Sequence, residues 1–243
     1  MSKQKSLPTA TLILAGGLAT RLQSVAGDTP KSLMRVAGRP FIEWQFDQLR
    51  DNGLNDIVLC VGHGAGKIKD HIGDGSKWNI AIRYSHENKP LGTAGAIRHA
   101  QGMLGTDPFF VLNGDSFVSF TASEVLRFHR GKQAALTLVL AEVEDAARFG
   151  SVAINENGEI LNFDEKGKSG KGLINAGVYL ITQDVLHSIP ESRAVSIEKE
   201  VFPRFVGSGL YGMVTAGPFI DIGTPESLQS ADRFFFGNED SKT

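Results

Sequence analysis

The chain has 243 residues, with 25 basic and 27 acidic side chains, a formal net charge of -2 and a 41% hydrophobic share. That length suits one α/β domain, or one domain with a small lobe, and the apolar share is enough for a core. The balanced charge gives no reason to expect a nucleic-acid or anionic-membrane partner, although it is compatible with a local basic pocket for a small phosphate.

The single cysteine, Cys60, forms no intrachain disulfide. It stands in the apolar run Ile57-Val58-Leu59-Cys60-Val61 and reads as a buried strand cysteine. No cysteine cluster suggests zinc. No stretch approaches the ~20 apolar residues of a membrane span. Met1 to Pro8 lacks the apolar region of a signal peptide, so cytoplasmic residence is the expectation.

In chain order, Thr11 to Ala15 predicts a strand that Gly16-Gly17 ends abruptly. Pro40 opens a helix from about Phe41 to Asn52, closed by Gly53, with Ile42, Phe46 and Leu49 on its inward face. A strand at 57–61, a short helix from about Ala65 to Ile72 and a strand from Ile80 to Tyr84 follow. Thr93 is expected to cap a helix running to about Met103. Phe109 to Leu112 predicts a buried strand, followed by a helix around 122–130 and a strand at 135–140. This rhythm predicts an α/β fold, a Rossmann-like three-layer arrangement with a mostly parallel sheet.

The pattern changes near residue 141. Short segments at 150–154, 159–163 and 173–180 are separated by Gly/Asn turns, and Asn157-Gly158 reads as a hairpin. Helices near 182–188 and 197–203, a strand near 212–215 and a final helix from Pro225 to about Phe236 follow. This half reads as a small α+β lobe that returns to the first sheet, with 237–243 a loose tail. One domain is expected, with parts at about 9–140, 141–215 and 216–236.

In parallel α/β sheets, ligands bind beyond the carboxyl ends of the strands. Three segments fall there: Gly16-Gly17, Asn113-Gly114-Asp115 and Asp221-Ile222-Gly223-Thr224. Adjacent glycines let backbone N–H groups approach a polyanion. Arg21 and Lys31 supply a rigid fork and a point charge for a triphosphate. A tight turn with two surface cations fits the same residues. Asp115 and Asp221 suit a shared Mg²⁺, although either alone also suits a turn. Gly62-His63-Gly64-Ala65-Gly66-Lys67 is not a Walker A loop: its spacing differs and Ile68 replaces the hydroxyl residue.

At these residues the sequence resembles the sugar-1-phosphate nucleotidylyltransferases. The opening signature is Gly16, Gly17, Thr20, Arg21, Leu22, then Pro30, Lys31 and Leu33. Further matches are Pro90 to Ala96, Asn113-Gly114-Asp115, Glu165-Lys166, Asn175-Ala176-Gly177 and Asp221 to Pro225. The resemblance implies transfer of a nucleotidyl group from a nucleoside triphosphate to a sugar 1-phosphate. It implies that Leu14, Gly16, Gly17, Thr20, Arg21, Gly92 and Thr93 bind nucleotide. Arg21, Lys31 and Asp115 would serve the reacting phosphates, and Asp115 and Asp221 would hold Mg²⁺. Asn113, Glu165, Lys166, Asn175 and Gly177 would face the sugar phosphate. Departures from the family pattern are Ala19 for a third glycine, Gly167 for the proline after Glu-Lys, and Pro218-Phe219-Ile220 before the last aspartate. They bear on sugar choice more than on reaction class.

The Glu87 carboxylate can accept from guanine N1–H and N2–H₂, which favours GTP; it is also compatible with a plain surface residue. The stretch 87–92 is similar to that of mannose- and manno-heptose-1-phosphate guanylyltransferases. The chain length, the gap between Leu22 and Pro30, Arg148 to Val152 and Gly172 to Tyr179 are most like the D-glycero-α-D-manno-heptose 1-phosphate group. Mannose, glucose and N-acetylmuramate 1-phosphate stay open, as does a non-catalytic regulator that binds nucleotide sugar. A homodimer is the size-based expectation. The cluster Phe234-Phe235-Phe236 suits either an interface or packing back onto the sheet.

Overall fold

A computed structural model describes residues 7, 9–17, 22, 27–163, 169–191 and 193–239, with 237–239 as backbone only. The strands are β1 (Thr11–Leu14), β2 (Arg35–Val36), β3 (Arg39–Pro40), β4 (Asp56–Val61), β5 (Ala81–His86), β6 (Phe109–Asn113), β7 (Ser116–Val118), β8 (Leu136–Val143), β9 (Val152–Ile154), β10 (Ile160–Phe163), β11 (Gly172–Ile181), β12 (Leu210–Thr215) and β13 (Phe219–Asp221). The α-helices are α1 (Phe41–Asp51), α2 (Ala65–Ile72), α3 (Gly92–His99), α4 (Ala122–Lys132), α5 (Gln183–His187), α6 (Phe202–Phe205) and α7 (Pro225–Glu239).

Seven strands form one sheet in the order β12-β8-β11-β6-β1-β4-β5. Its pairings are parallel except at β11, which runs antiparallel to both β6 and β8. The apolar runs of the sequence reflect burial on both faces. Along β6, Phe110 and Leu112 join the core under α1, α2 and α4, which includes Ile42, Phe46, Ile68 and Val125. Phe109 and Val111 join the opposite core, under α3 and α5, with Ile97, Val185 and Leu186. The expected three-layer, mostly parallel architecture is therefore present.

Most predicted elements stand where periodicity places them. The inward residues Ile42, Phe46 and Leu49 of α1 are all fully buried. Gly53, at φ 74°, closes that helix. The Asn157-Gly158 turn joins the antiparallel pair β9 and β10.

Three expectations need correction. Leu91, not Thr93, is the cap of α3, and Thr93 lies inside the helix. The 197–203 helix begins as a π-turn over Ile197–Val201. Here Ser196 Oγ accepts from the Lys199 N–H and Glu200 accepts from the Ser196 N–H, a reciprocal cap stretched by the wider turn. The last helix continues to Glu239, past the expected start of the tail. The region after residue 141 also contributes β11 and β12 to the main sheet, while β9 and β10 form a separate ribbon. Among the described residues, no helix is long and apolar enough to cross a membrane.

Candidate functional site

A cavity of about 720 Å³ opens at the carboxyl ends of β1, β4 and β6. Its lining includes Leu14, Gly16, Gly17, Lys31, Glu87, Gly92, Thr93, Asn113 and Asp115, so nine of the sequence-predicted residues converge there. They arrive from four separated stretches because parallel strands end at one edge of the sheet.

The turn after β6 is fixed from two sides. The Gly114 N–H donates to Leu14 O at 3.0 Å, and a Cβ on Gly114 would lie 2.5 Å from that oxygen. From α1, the buried Gln45 amide donates to Asn113 O and Ser116 O, both at 2.8 Å. Asp115 is thus held between anchored neighbours. Its Oδ2 accepts from Lys31 Nζ at 2.7 Å. Lys31 is brought there by a single 3₁₀ turn, Lys31–Leu33, entered through Pro30.

Asp221 arrives by a different route. β13 pairs antiparallel with β7 and sets Asp221 opposite Ser116, the neighbour of Asp115. The Ile222 N–H donates to Asp115 O at 2.9 Å. A Cβ on Gly223 would lie 2.6 Å from Asp221 Oδ2 and 3.8 Å from Lys31 Nζ, so Gly223 passes close to both the carboxylate and the ammonium. Arg148 Nη2 donates to Asp221 Oδ1 and Oδ2 at 2.9 and 2.8 Å. The sequence offers Arg148 as part of a motif without a role; its partner is 73 residues away.

At the other end of the cavity stands Glu87. Its Oε2 accepts from the Leu91 N–H at 3.1 Å. Its Oε1 rests over backbone: a Cβ on Gly62 would lie 2.9 Å from it, and one on Gly16 would lie 3.3 Å from it. The two glycines leave room for this carboxylate, and Glu87 is half-buried in the cavity lining. Burial, aided by the Glu87 charge, pushes the Cys60 thiol up to about 12, which keeps it protonated at neutral pH.

Gly92 starts α3 at φ 72°, and a Cβ there would meet Val195 O at 2.5 Å. Thr93 Oγ1 donates to Glu198 Oε2 and accepts from the Ile197 N–H. This brings Glu198 into the cavity lining, a position no short motif marks.

Asn175 and Gly177 lie one strand further, in the bulge of β11. The amides of Asn113 and Asn175 both donate to Tyr179 Oη, at 3.2 and 3.1 Å. Burial holds the Tyr179 phenol above its ordinary range, so it stays protonated. Asn113 Oδ1 is buried without a partner among the described residues. Gly177 sits at φ 80°, and a Cβ there would lie 2.3 Å from Ser116 Oγ. Asn175, Gly177 and Asp221 do not line the cavity itself but border it through these contacts. Thr20, Arg21, Glu165 and Lys166 lie outside the described residues.

Comparison with known proteins gives a consistent picture. Residues 10–236 match the family model described as nucleotidyl transferase. The catalytic subunit beta of mannose-1-phosphate guanylyltransferase from Drosophila pseudoobscura pseudoobscura is 37% identical over 90% of this chain and 60% of that protein. The D-glycero-α-D-manno-heptose 1-phosphate guanylyltransferase of Campylobacter jejuni is 34% identical over 88% of this chain and 95% of that protein. The crystal structure of HddC from Yersinia pseudotuberculosis complexed with GMP-PN superposes with a TM-score of 0.84 at 33% identity, covering 93% of this chain and 99% of that one. The chain thus spans about 60% of the length of the mannose-1-phosphate guanylyltransferase it matches.

Proposed function

Because the chain belongs to the nucleotidyl transferase family, we propose that it transfers a nucleoside monophosphate from a nucleoside triphosphate to a sugar 1-phosphate, releasing pyrophosphate. The observation that supports this reading most is the convergence of Lys31, Asp115 and Asp221 at one end of a cavity walled at the other by Glu87. In this reading the acceptor's phosphate oxygen attacks the α-phosphorus in line. The new O–P bond forms as the bond from the α-phosphorus to its bridging oxygen breaks, and pyrophosphate leaves. The acceptor is already anionic, so no protein nucleophile or histidine base is needed.

Asp115 and Asp221 are the proposed Mg²⁺ ligands. Their hard carboxylate oxygens fit that ion, and their backbones are joined through Ile222. Among the described residues no group of three or more His, Cys, Asp or Glu side chains is suited to hold a metal. Two carboxylates with substrate phosphate and water completing the shell is the arrangement magnesium prefers. Bound there, it would neutralise charge on the reacting phosphates.

Gly16 and Gly17 present backbone to the nucleotide, and Leu14, Gly92 and Thr93 line its nucleoside end. Thr20 and Arg21 bind the nucleotide, Arg21 through the triphosphate, and Lys31 orients phosphate beside Asp115. Asn113, Glu165, Asn175 and Gly177 form the sugar side, with Lys166 on its phosphate. Glu87 reads guanine, so GTP is the proposed donor. The nucleotide part is assigned to about 9–140, the sugar-phosphate part to about 141–215 and the return to about 216–236. D-glycero-α-D-manno-heptose 1-phosphate is the proposed acceptor, supported by the heptose-enzyme relative and the fold match to HddC. Mannose 1-phosphate is the second reading, favoured by the 37% identity to a mannose enzyme.

Asp115→Ala and Asp221→Ala test the shared site. Each should abolish magnesium-dependent pyrophosphate release while circular dichroism and melting temperature stay near wild type. Near-normal turnover in both variants would sink the shared-metal reading.

A further inference from the structure

Each of the two carboxylates already has a cation of its own. Lys31 Nζ lies 2.7 Å from Asp115 Oδ2, and Arg148 Nη2 lies 2.8 Å from Asp221 Oδ2. The geometry at Asp221 is unusual for an arginine. One nitrogen spans both oxygens, at 2.9 and 2.8 Å, instead of the two-nitrogen fork that guanidinium normally offers. A single positive centre between both carboxylate oxygens is where a bound cation would sit.

Lys31 lines the cavity, and its role there follows from the phosphates expected beside it. Arg148 does not line it. It stands on the segment between β8 and β9, with its guanidinium carbon 5.0 Å from the Phe149 ring centroid. Phe149 packs edge-on against Phe219 of β13, at 5.4 Å. The Arg148 side chain is 48% exposed, whereas that of Asp221 is 14% exposed. Arg148 can therefore leave Asp221 without disturbing the core, while Phe149 keeps its base beside the site.

Charge decides what happens next. Asp115 and Asp221 are paired with Lys31 and Arg148, and Glu226, whose carboxyl is held below its ordinary range by local hydrogen bonds, also feels the Arg148 charge. A divalent ion taken up by the same carboxylates displaces both cations and leaves two positive charges seeking anions. The triphosphate serves Lys31, on the cavity side. Glu226 stays within reach of the Arg148 charge, and the acceptor's phosphate is the further anion that the reaction brings.

We propose that Arg148 is a displaceable counter-cation, which holds the Asp221 carboxylate before the divalent ion arrives and then turns its freed guanidinium to the phosphate of the sugar 1-phosphate. Metal loading thereby prepares the acceptor subsite. This rests on the reading of Asp115 and Asp221 as the metal pair.

The test uses the full chain and Mn²⁺ as the probe, with free Mn²⁺ measured by electron paramagnetic resonance in the absence of substrates. Wild type, Arg148→Gln, Arg148→Ala and Asp221→Asn are compared, each checked for an unchanged melting curve; either Arg148 variant that passes suffices. Removing Arg148 should tighten Mn²⁺ binding about 10-fold, because the competing charged hydrogen bonds are gone. In steady-state assays KM for the sugar 1-phosphate should rise about 10-fold, with KM for the nucleotide changed less than about twofold. Unchanged or weaker Mn²⁺ binding, or an unchanged acceptor KM, overturns the proposal. If Asp221→Asn loses Mn²⁺ but the Arg148 variants bind as wild type, the counter-cation role alone falls. If Asp221→Asn binds Mn²⁺ as well as wild type, the metal pair itself is wrong and the proposal falls with it.

Discussion

Asp115 and Glu87 mark the two ends of the cavity, and each does so through one carboxylate. Asp115 is held by Lys31 and by neighbours anchored to Leu14 and Gln45. Asp115→Asn keeps the shape and removes the charge, so kcat should fall by about 10²–10³-fold with nucleotide affinity less affected; steady-state kinetics read both. Glu87→Gln keeps an acceptor for the Leu91 N–H but replaces the second acceptor with a donor. Turnover of GTP, as kcat/KM, should drop about 10–100-fold, and discrimination against other bases should shrink. Equal kcat/KM for wild type and Glu87→Gln would remove Glu87 from base recognition. Asp115 was legible in the sequence because it closes an Asn-Gly-Asp turn after an apolar run, and Glu87 because a carboxylate stands just before the Pro90 to Ala96 motif. Arg148 and Glu198 were not. Their partners, Asp221 and Thr93, are 73 and 105 residues distant, and no local period reports a contact at that separation.

Among the elements, the start of α3 shows how local reading fails. A threonine before an apolar stretch predicts a cap, yet Gly92 at φ 72° begins the helix one residue earlier. The Val195 carbonyl accepts from the Ala94 and Gly95 N–H groups, so a distant segment satisfies donors a cap would have served. Gly92→Ala should therefore strain the backbone and push it against Val195, destabilising by about 1–3 kcal/mol. Urea melts measure the loss; an unchanged midpoint would contradict the close approach. A second element-level prediction concerns α4 and β8. His129 of α4 lies 2.9 Å from Thr137 Oγ1 of β8, and burial holds it down to about 4 from its ordinary 6.5. The unfolded chain binds the proton first, so this contribution is complete above pH 6.5 and is lost as pH falls through about 4. Wild-type melting temperature should fall more steeply over that window than that of His129→Gln. Parallel curves would show that the histidine is not the cause.

For the whole molecule, the three-layer arrangement was legible because runs such as 57–61 and 109–112 bury alternate residues in two cores. The direction of β11 was not, since apolar periodicity is the same for parallel and antiparallel strands. A third cluster ties the C-terminal helix to the site. Phe235 of α7 stacks on Trp44 at 4.2 Å and meets Phe117 at 5.1 Å, and Ile222 shares the cluster. Phe235 therefore folds back onto the domain, while Phe236 is exposed. Ile222 links Asp115 to Asp221, so α7 braces the two carboxylates from behind. Phe235→Ala should cost about 3–5 kcal/mol of stability in denaturant melts. A cost below about 1 kcal/mol would show that the helix is not an integral brace.

Product analysis tests the account most directly. The chain is incubated with Mg²⁺, each of GTP, ATP, CTP, UTP and dTTP, and each of manno-heptose, mannose, glucose and N-acetylmuramate 1-phosphates, with products read by mass spectrometry. GDP-sugar and equimolar pyrophosphate are expected, formed only when metal, GTP and a manno-configured sugar 1-phosphate are present together. No nucleotide sugar from any pair would contradict nucleotidyl transfer itself, and a preference for UTP or dTTP would contradict the reading of Glu87.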